Sequence, residues 1–395
     1  EGEVAKVDRS GVEIFGRGFE RRRRRPMEVP WEAEGAAKGG YAHFMLKEIS
    51  EQPQTLAAEG AGRDGGLGGE LRLSAGKLRR AVLAGCGTAW HAALVGKMAL
   101  EELAGLPAEA GLSSELRYGD GPWGPETLVV AISQSGETAD TLAAVRRARR
   151  AGAPVVAVTN LRGSTLAREA DQVLYMRAGL EVGVAATKTY TSQLALVTML
   201  AAWLGRQRGA LSGRRFRELM AQGRRLPEAA GRVLSRAQGK VRELARRLRR
   251  GYDFMYIGRR YNLATALEGA LKMKEISYLH AEGYGAGEMK HGPLALVDER
   301  LACVAVAPQG RVTEKMISNI EEIRARGGGG VAVATEGDRR VAGVADAVIE
   351  IPACEEVFSP ILAVMPLQLL AYHVAVELGR DVDRPRNLAK SVTVE

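Results

Sequence analysis

One pattern occurs twice in the chain: a short apolar run, a glycine-rich turn and then an amphipathic helical stretch. It begins at Arg79 (RRAVLAGCGTAWHAALVGKMALEELAG) and again at Gly251 (GYDFMYIGRRYNLATALEGALKMKEIS), with Gly87 and Gly258 at the matching turns. A strand–turn–helix–strand pattern follows each copy. Continuous Val, Ile and Ala runs are typical of buried parallel strands, and the helices between them predict βαβ crossovers. The sequence therefore predicts an α/β fold with two doubly wound parallel-sheet domains related by duplication.

The chain of 395 residues is long enough for two domains, and we expect four segments. Residues 1–40 predict a β-hairpin followed by a linker. Because a lone hairpin is only marginally stable in water, we expect this segment to be the remnant of an upstream domain. Residues 41–212 and 213–380 are the two α/β domains, with a boundary in the Arg-rich helical region near 205–215. Residues 381–395 are a polar C-terminal tail.

The formal net charge is +9, and part of it comes from one run, Arg21–Arg25. Such runs occur in nucleic-acid-binding proteins, but no aromatic residues are interleaved here and no nucleic-acid motif follows. We therefore favour a solvated strand end or linker and expect no nucleic-acid partner. A positive balance also suits an enzyme that handles sugar phosphates.

The three cysteines, Cys86, Cys303 and Cys354, lie far apart, and none belongs to a CxxC pair. Isolated cysteines favour reduced thiols and a cytoplasmic protein over a disulfide scaffold or a zinc site. No uninterrupted apolar stretch is long enough to span a bilayer, so we expect no membrane association. No metal-ligand cluster and no GxGxxG after a strand is present, so no metal or nucleotide cofactor is implied.

The loop after the apolar run Val129–Ile132 is rich in hydroxyl groups: Ser133-Gln134-Ser135-Gly136, with Thr138 expected in the first turn of the next helix. Ligands of open α/β sheets lie at the carboxyl ends of the strands, where helix N-termini attract anions. The loop therefore predicts a phosphate site. Ordinary helix capping by a serine is the alternative that this stretch leaves open. The matching turn GCGTAWH adds Thr88, as a cap or a sugar contact.

These two loops resemble those of the sugar isomerase (SIS) domain. Three further stretches are more specific: EVGVAATKTYTSQ (181–193), ALEGALKMKEISYLHAEGYGAGEMKHGPLALVDE (266–299) and DVDRPRNLAKSVTVE (381–395). Together they resemble the isomerase part of the glutamine–fructose-6-phosphate aminotransferases, and the resemblance covers nearly the whole chain. In that family glutamine hydrolysis begins at an N-terminal cysteine, whereas this chain starts at Glu1. We therefore expect an isomerase part whose glutaminase domain is missing.

The resemblance implies an activity: fructose 6-phosphate and ammonia give glucosamine 6-phosphate, the first step of hexosamine synthesis. Ring opening, a Schiff base and a proton shift between C1 and C2 are the steps. Without its glutaminase domain the chain would use free ammonium poorly and convert fructose 6-phosphate slowly to glucose 6-phosphate.

The resemblance also assigns catalytic residues. Glu275 is the base that moves the C1/C2 proton, and Lys272, three residues earlier, restrains nearby negative charge. His291 opens the ring from the neighbouring subunit, which implies a homodimer, and Lys390 forms the Schiff base. From the residues alone, Glu275 and Lys272 would be a surface ion pair. By the same reasoning His291 would be a structural loop residue and Lys390 a frayed surface lysine.

The remaining candidates bind substrate by the same resemblance. The phosphate contacts are Ser133, Gln134, Ser135 and Thr138, Thr88 contacts the sugar, and the loop that closes over it contains Glu181, Val184 and Ala185. This chain has Ala89 and Ala186 where many relatives have serine, so we expect weaker sugar contacts and retained chemistry.

Two other readings remain open. A stand-alone SIS sugar-phosphate isomerase or amino-sugar-phosphate deaminase would need no glutaminase, although it would not need the N-terminal hairpin either. A non-catalytic sugar-phosphate sensor predicts the loss of Glu275, His291 or Lys390, and all three are present.

Overall fold

A computed structural model describes residues 2–25, 37–61, 63, 67, 69–249 and 253–394. The chain forms two compact units, Glu1–Ala33 and Glu34–Glu395. In the first unit, strands β1 (Val4–Asp8) and β2 (Gly11–Phe15) pair antiparallel as a hairpin, and β3 (Arg21–Arg22) pairs with β2. Most of the predicted linker, residues 26–36, lies outside the described residues.

The second unit contains two parallel sheets of five strands each. The first has the order β5-β4-β6-β7-β8 and the second the order β10-β9-β11-β12-β13. Numbered within its own half, each sheet therefore has the strand order 2-1-3-4-5, a doubly wound arrangement. The strands are β4 Arg80–Gly85, β5 Ala108–Leu112, β6 Thr127–Ile132, β7 Val155–Thr159, β8 Gln172–Tyr175, β9 Asp253–Gly258, β10 Ala281–Gly285, β11 Leu301–Ala307, β12 Gly329–Thr335 and β13 Ala347–Ile351. The predicted fold class is confirmed.

Helices cover both sheets and pack between them. Helix α3 packs on α7 and α10, α10 packs on α13, and α9 packs on both α13 and α2. The helices are α1 Phe44–Ser50, α2 Gln52–Gly60, α3 Thr88–Ala104, α4 Ser113–Leu116, α5 Ala139–Arg150, α6 Thr165–Glu169, α7 Lys188–Gln207, α8 Gly213–Gly223, α9 Leu226–Leu248, α10 Tyr261–Ser277, α11 Thr313–Arg324, α12 Arg339–Val344 and α13 Ser359–Glu377.

Helix α13 is the most apolar helix of the core. Within the segment Glu356–Glu377, an 18-residue window has a mean hydropathy of 1.6, so by length and composition alone this helix could cross a membrane. Gln368 and His373 interrupt it, so it is not the uninterrupted apolar stretch whose absence the sequence indicated. Its apolar window is wholly buried within the protein. It is therefore a core helix that the surrounding helices keep away from solvent.

The two strand-to-helix turns that follow β4 and β9 have the same backbone. Gly87 (φ 52°, ψ −123°) precedes α3, and Arg260 (φ 52°, ψ −128°) precedes α10. Gly258 therefore corresponds to Gly85, at the last position of each strand, and not to Gly87 as the sequence suggested. A Cβ on Gly258 would lie 2.0 Å from the Asn262 carbonyl oxygen, and one on Gly85 2.6 Å from the Ala89 carbonyl carbon. Only glycine lets helix and strand approach this closely.

This close approach predicts the effect of a methyl group. Gly258→Ala should lower the free energy of unfolding by about 2 kcal/mol or more, because the first turn of α10 must move away from β9. The control is Gly239→Ala in α9, where a Cβ meets no atom within 4 Å. It should raise stability by about 0.5–1 kcal/mol, since alanine favours helix. Chemical denaturation followed by circular dichroism measures both. Equal effects would contradict the packing argument.

Candidate active site

A cavity of about 310 Å³ lies at the carboxyl ends of the first sheet. The loops that follow β4 and β6 line it, and these are the neighbouring strands at which the strand order reverses. Crevices at such reversal points are where open α/β sheets bind ligands. The C-terminal tail, from Leu388 to Val392, forms another wall, and helix α10 of the second half contributes Lys272 and Glu275.

The hydroxyl-rich loop after β6 is held by its own side chains. Ser133 Oγ accepts a hydrogen bond from the Gly136 amide (3.0 Å) and lies 3.0 Å from Thr138 Oγ1, while Ser135 Oγ accepts from the Glu137 amide (3.2 Å). Gly136 has φ +66°, and a Cβ there would lie 2.3 Å from the Ser164 hydroxyl. The conformation of the loop is therefore held by its own side chains and by the close approach of Gly136 to Ser164.

The start of α5 differs in detail from the sequence expectation. The helix begins at Ala139, so Thr138 precedes it and does not lie in its first turn. Thr138 occupies the N-cap position but its side chain makes no capping bond, and the two serines bond to amides that precede the helix. Capping of α5 therefore does not explain these hydroxyl groups, which line the cavity beside the start of the helix.

A buried charged cluster joins the two halves beside the cavity. The ammonium of Lys272, whose side chain is 1% exposed, lies 2.6 Å from Glu275 Oε2 and 3.4 Å from Glu268 Oε1, and it donates to Thr88 Oγ1 (3.1 Å). Glu268 also lies 2.6 Å from His91 Nδ1. Burial opposes the charged form, but Glu268 and Glu275 outweigh it and raise the pKa of Lys272. Lys272 is therefore a fixed cation next to the Glu275 carboxylate.

The tail places Lys390 against the closing loop. Its ammonium lies 2.5 Å from Glu181 Oε2 and donates to the Gly183 carbonyl (2.8 Å). Burial raises the pKa of Glu181, but Lys390 and hydrogen bonds from Thr187 and Thr189 outweigh burial and lower it below its usual value. Lys390 thus has an anionic partner and is not a frayed surface lysine.

Two further contacts hold the tail over the hydroxyl-rich loop. Ser391 Oγ donates to Ser135 Oγ (2.9 Å), and the Ala139 amide donates to the Val392 carbonyl (3.2 Å). The first amide of α5 is therefore bonded to the tail.

Most of the predicted residues line the one cavity: Thr88, Ser133, Gln134, Ser135, Thr138, Val184, Lys272, Glu275 and Lys390. Three do not. Glu181 lies buried behind Lys390, and Ala185 is buried between neighbours that do face the cavity. His291 is exposed at the end of the turn Glu288–His291 and is not among the cavity-lining residues of its own chain. Ala89 and Ala186, the two positions without a serine, also line the cavity.

The sequence analysis missed three residues of this site. Glu268 precedes Lys272 by four positions, a helical spacing that signals an ion pair and could have identified it. His91 lies within the recognised turn motif but gave no sign of its partner on α10. Ser391 follows Lys390 directly, and only the folded tail brings it to Ser135.

The arrangement combines three chemical capacities in one cavity. A carboxylate beside a fixed cation can accept and return a proton. A lysine amine can form a Schiff base with a carbonyl compound. Hydroxyl groups at a helix N-terminus suit a phosphate. A phosphorylated carbonyl compound is the ligand class that uses all three.

Comparisons with known proteins identify the family to which the chain belongs. The SIS-domain profile matches residues 77–203 and 253–378. The chain is 49% identical over its whole length to a glutamine–fructose-6-phosphate aminotransferase (isomerizing) of Thermus thermophilus, and 49% identical to one of Symbiobacterium thermophilum. It spans 66% of the length of each of these relatives.

Among solved structures, the chain is similar to the C-terminal domain of glucosamine-fructose-6-phosphate aminotransferase from Francisella tularensis, with a TM-score of 0.83 and 33% identity. The match covers 88% of this chain and all of that one. A glucosamine-6-phosphate deaminase from Thermotoga maritima matches with a TM-score of 0.70 and 23% identity, over 88% of this chain and 99% of that one. That likeness shows the fold alone.

The buried cluster predicts a large cost for removing its central anion. Glu268→Ala should lower the free energy of unfolding by about 3 kcal/mol or more, because it leaves the buried Lys272 charge with one carboxylate partner fewer. The control is Glu101→Ala, which removes an exposed ion pair with Lys97 and should change stability by about 0.5 kcal/mol or less. Denaturation curves of both variants test this. Similar losses in the two would show that the cluster carries no special stability.

Proposed function

The chain belongs to the SIS-domain family and, within it, to the C-terminal part of the glutamine–fructose-6-phosphate aminotransferases, and from this premise we propose that it forms glucosamine 6-phosphate. Fructose 6-phosphate and ammonia give glucosamine 6-phosphate and water. The observation that carries the proposal is the single cavity that Glu275, Lys390 and the hydroxyl-rich loop all face.

The substrate phosphate binds at the loop Ser133–Thr138, whose hydroxyl groups lie at the N-terminal end of α5, where an anion is favoured. Bound there, the sugar extends toward Lys390 on the tail and Glu275 on α10. Thr88, Val184 and the buried Ala185 lie along this path or directly behind it. The alanines at 89 and 186 offer no hydroxyl group, so sugar contacts here are fewer.

Lys390 condenses with the C2 carbonyl of the open-chain ketose and water leaves, which gives a Schiff base. The lysine must lose a proton before it attacks the carbonyl, and the Glu181 carboxylate, 2.5 Å from its ammonium, is the nearest group of the opposite charge. Ammonia then replaces the lysine amine at C2. The amine is thereby held at the carbon that becomes the amino carbon of the product.

Glu275 removes a proton from C1 and returns it to C2, so the carbonyl group moves to C1. Lys272 stabilises the Glu275 carboxylate at 2.6 Å and counters the negative charge that develops on the substrate. The same proton shift without ammonia converts fructose 6-phosphate to glucose 6-phosphate.

His291 would open the sugar ring from the neighbouring subunit of a homodimer. Its exposure on the turn Glu288–His291 is compatible with a role outside its own chain. Ammonia would come from glutamine, through a glutaminase domain of the full-length enzyme in the cytoplasm. Free ammonium would replace it poorly.

The first test identifies the products. The purified chain is incubated with fructose 6-phosphate, with and without ammonium chloride. We expect slow formation of glucose 6-phosphate in both samples and glucosamine 6-phosphate only with ammonium. Bound sugar phosphate without any product would contradict the proposal and favour a sensor.

The second test addresses the Schiff base. Borohydride reduction in the presence of fructose 6-phosphate should attach the sugar to Lys390, and Lys390→Arg should abolish the attachment, because a guanidinium does not form a Schiff base. Lys240→Arg, on the exposed side of α9, is the control and should be labelled like the unchanged chain. Peptide mass spectrometry locates the label. Full labelling of the Lys390→Arg variant would exclude this lysine.

A further inference from the structure

We propose that Glu48, on helix α1, is a positioning residue that holds the closing loop and the Lys390–Glu181 pair in place. The inference rests on the proposed function, since it concerns the amine that forms the Schiff base. Helix α1 lies outside both stretches that match the SIS domain, residues 77–203 and 253–378. The helix is therefore an addition to the two SIS halves.

The first line of support is the contact of Glu48 with the closing loop. Its Oε1 accepts hydrogen bonds from the amides of Val182 and Gly183 (3.2 Å for Gly183), and the residue is 2% exposed. The carbonyl of the same Gly183 accepts from Lys390 Nζ at 2.8 Å. Glu48 and Lys390 thus hold one peptide residue through its amide and its carbonyl.

The second line of support is the tail. Asp383 accepts hydrogen bonds from the Phe44 amide (3.0 Å) and the Met45 amide (2.9 Å) at the start of α1, and its own carbonyl accepts from the Val184 amide (3.1 Å). Helix α1, the closing loop and the tail are therefore bonded pairwise. Because Lys390 follows in the same tail, α1 fixes the path of the segment that carries it.

The third line of support is the chemical nature of residue 48. Burial and the neighbouring charge of Glu181 raise the pKa of Glu48 to about 7. A carboxyl group in such a place is costly to bury, and an apolar side chain would pack there at lower cost. An apolar side chain, however, cannot accept hydrogen bonds from the two loop amides. The need for a hydrogen-bond acceptor in the loop beside Lys390 explains why a glutamate occupies position 48.

The space around Gly183 is matched to this carboxylate. A Cβ at position 183 would lie 2.9 Å from Glu48 Oε2, so the loop passes as close to the side chain as glycine allows. A small displacement of the loop would shift both partners of Lys390, the Glu181 carboxylate and the Gly183 carbonyl.

The experiment compares three changes at Glu48 with a control on the same segment. Glu48→Ala removes the acceptor, Glu48→Asp withdraws it by one methylene, and Glu48→Gln keeps an acceptor oxygen at full reach. The control Glu51→Gln weakens the ion pair with Lys188 (2.8 Å) but touches neither loop amide. Circular dichroism and thermal unfolding of each full chain report whether it is folded.

Two quantities are measured. One is the maximal rate of borohydride labelling of Lys390 at saturating fructose 6-phosphate. The other is the dissociation constant of glucitol 6-phosphate, which has the phosphate but no carbonyl group. We expect Glu48→Ala and Glu48→Asp to lower the labelling rate about 10- to 100-fold, since misplaced reacting groups cost that much. Glucitol 6-phosphate should still bind within about threefold, because the Ser133–Thr138 loop is untouched. Glu48→Gln and Glu51→Gln should label close to the rate of the unchanged chain.

Other results would overturn the inference. Wild-type labelling rates in the folded Glu48→Asp variant would show that the position does not matter for Lys390, and this variant decides if Glu48→Ala fails to fold. A loss in Glu48→Gln as large as in Glu48→Ala would show that hydrogen-bond acceptance is not the role. If the unchanged chain itself is not labelled at Lys390, the proposed function fails and this inference with it, so the two failures are distinguishable.

Discussion

The contacts of the buried Lys272 ammonium are the interactions on which the arrangement of the two halves depends. Its partners come from both: Thr88 from the first half, and Glu268 and Glu275 from its own helix α10. A lysine that is 1% exposed is tolerable only when it is paired, and both of its carboxylates lie on its own helix. The bonds of Thr88 to Lys272 and of His91 to Glu268 fix the register in which α3 meets this helix. That register also brings Glu275 to the cavity at the end of the first sheet. The contacts that pair the buried Lys272 charge therefore also supply the residues that α10 contributes to the cavity.

The duplication accounts for the fold but not for the site, because the two halves have diverged at matching positions. Gly87 and Arg260 share one backbone conformation, in a region that favours glycine. In the first half the small residue leaves room beside Thr88, and the cavity opens there. In the second half Arg260 pairs with Glu356 (2.9 Å) and Glu102 (2.7 Å). The second half thus has a salt-bridged arginine at the position where the first half has a glycine.

The sequence predicted what depends on local pattern. The apolar runs identified both sheets, and the loop Ser133–Thr138 and the pair Lys272–Glu275 were found where the structure has them. It did not predict what depends on contacts between distant segments. The pairing of His91 with Glu268 and that of Glu48 with the closing loop join residues more than a hundred positions apart. Neither leaves a periodic or spacing signal, and the start of α5, one residue after Thr138, lay within the usual uncertainty of helix ends.

The position of helix α13 has a consequence for how the chain is built. Its partners include α9 and α10, and it also bonds to the first helices of the second unit: Tyr372 to His43, just before α1, and Gln368 to Gln52, the first residue of α2. During synthesis the early helices must therefore wait for a segment that emerges about three hundred residues later. Until then, the apolar surface that α13 covers in the folded protein is exposed and can contact other chains. The apolar side chains of α13 itself also become buried only when the helix docks. Contacts this distant in sequence slow folding, so the docking of α13 completes the core late.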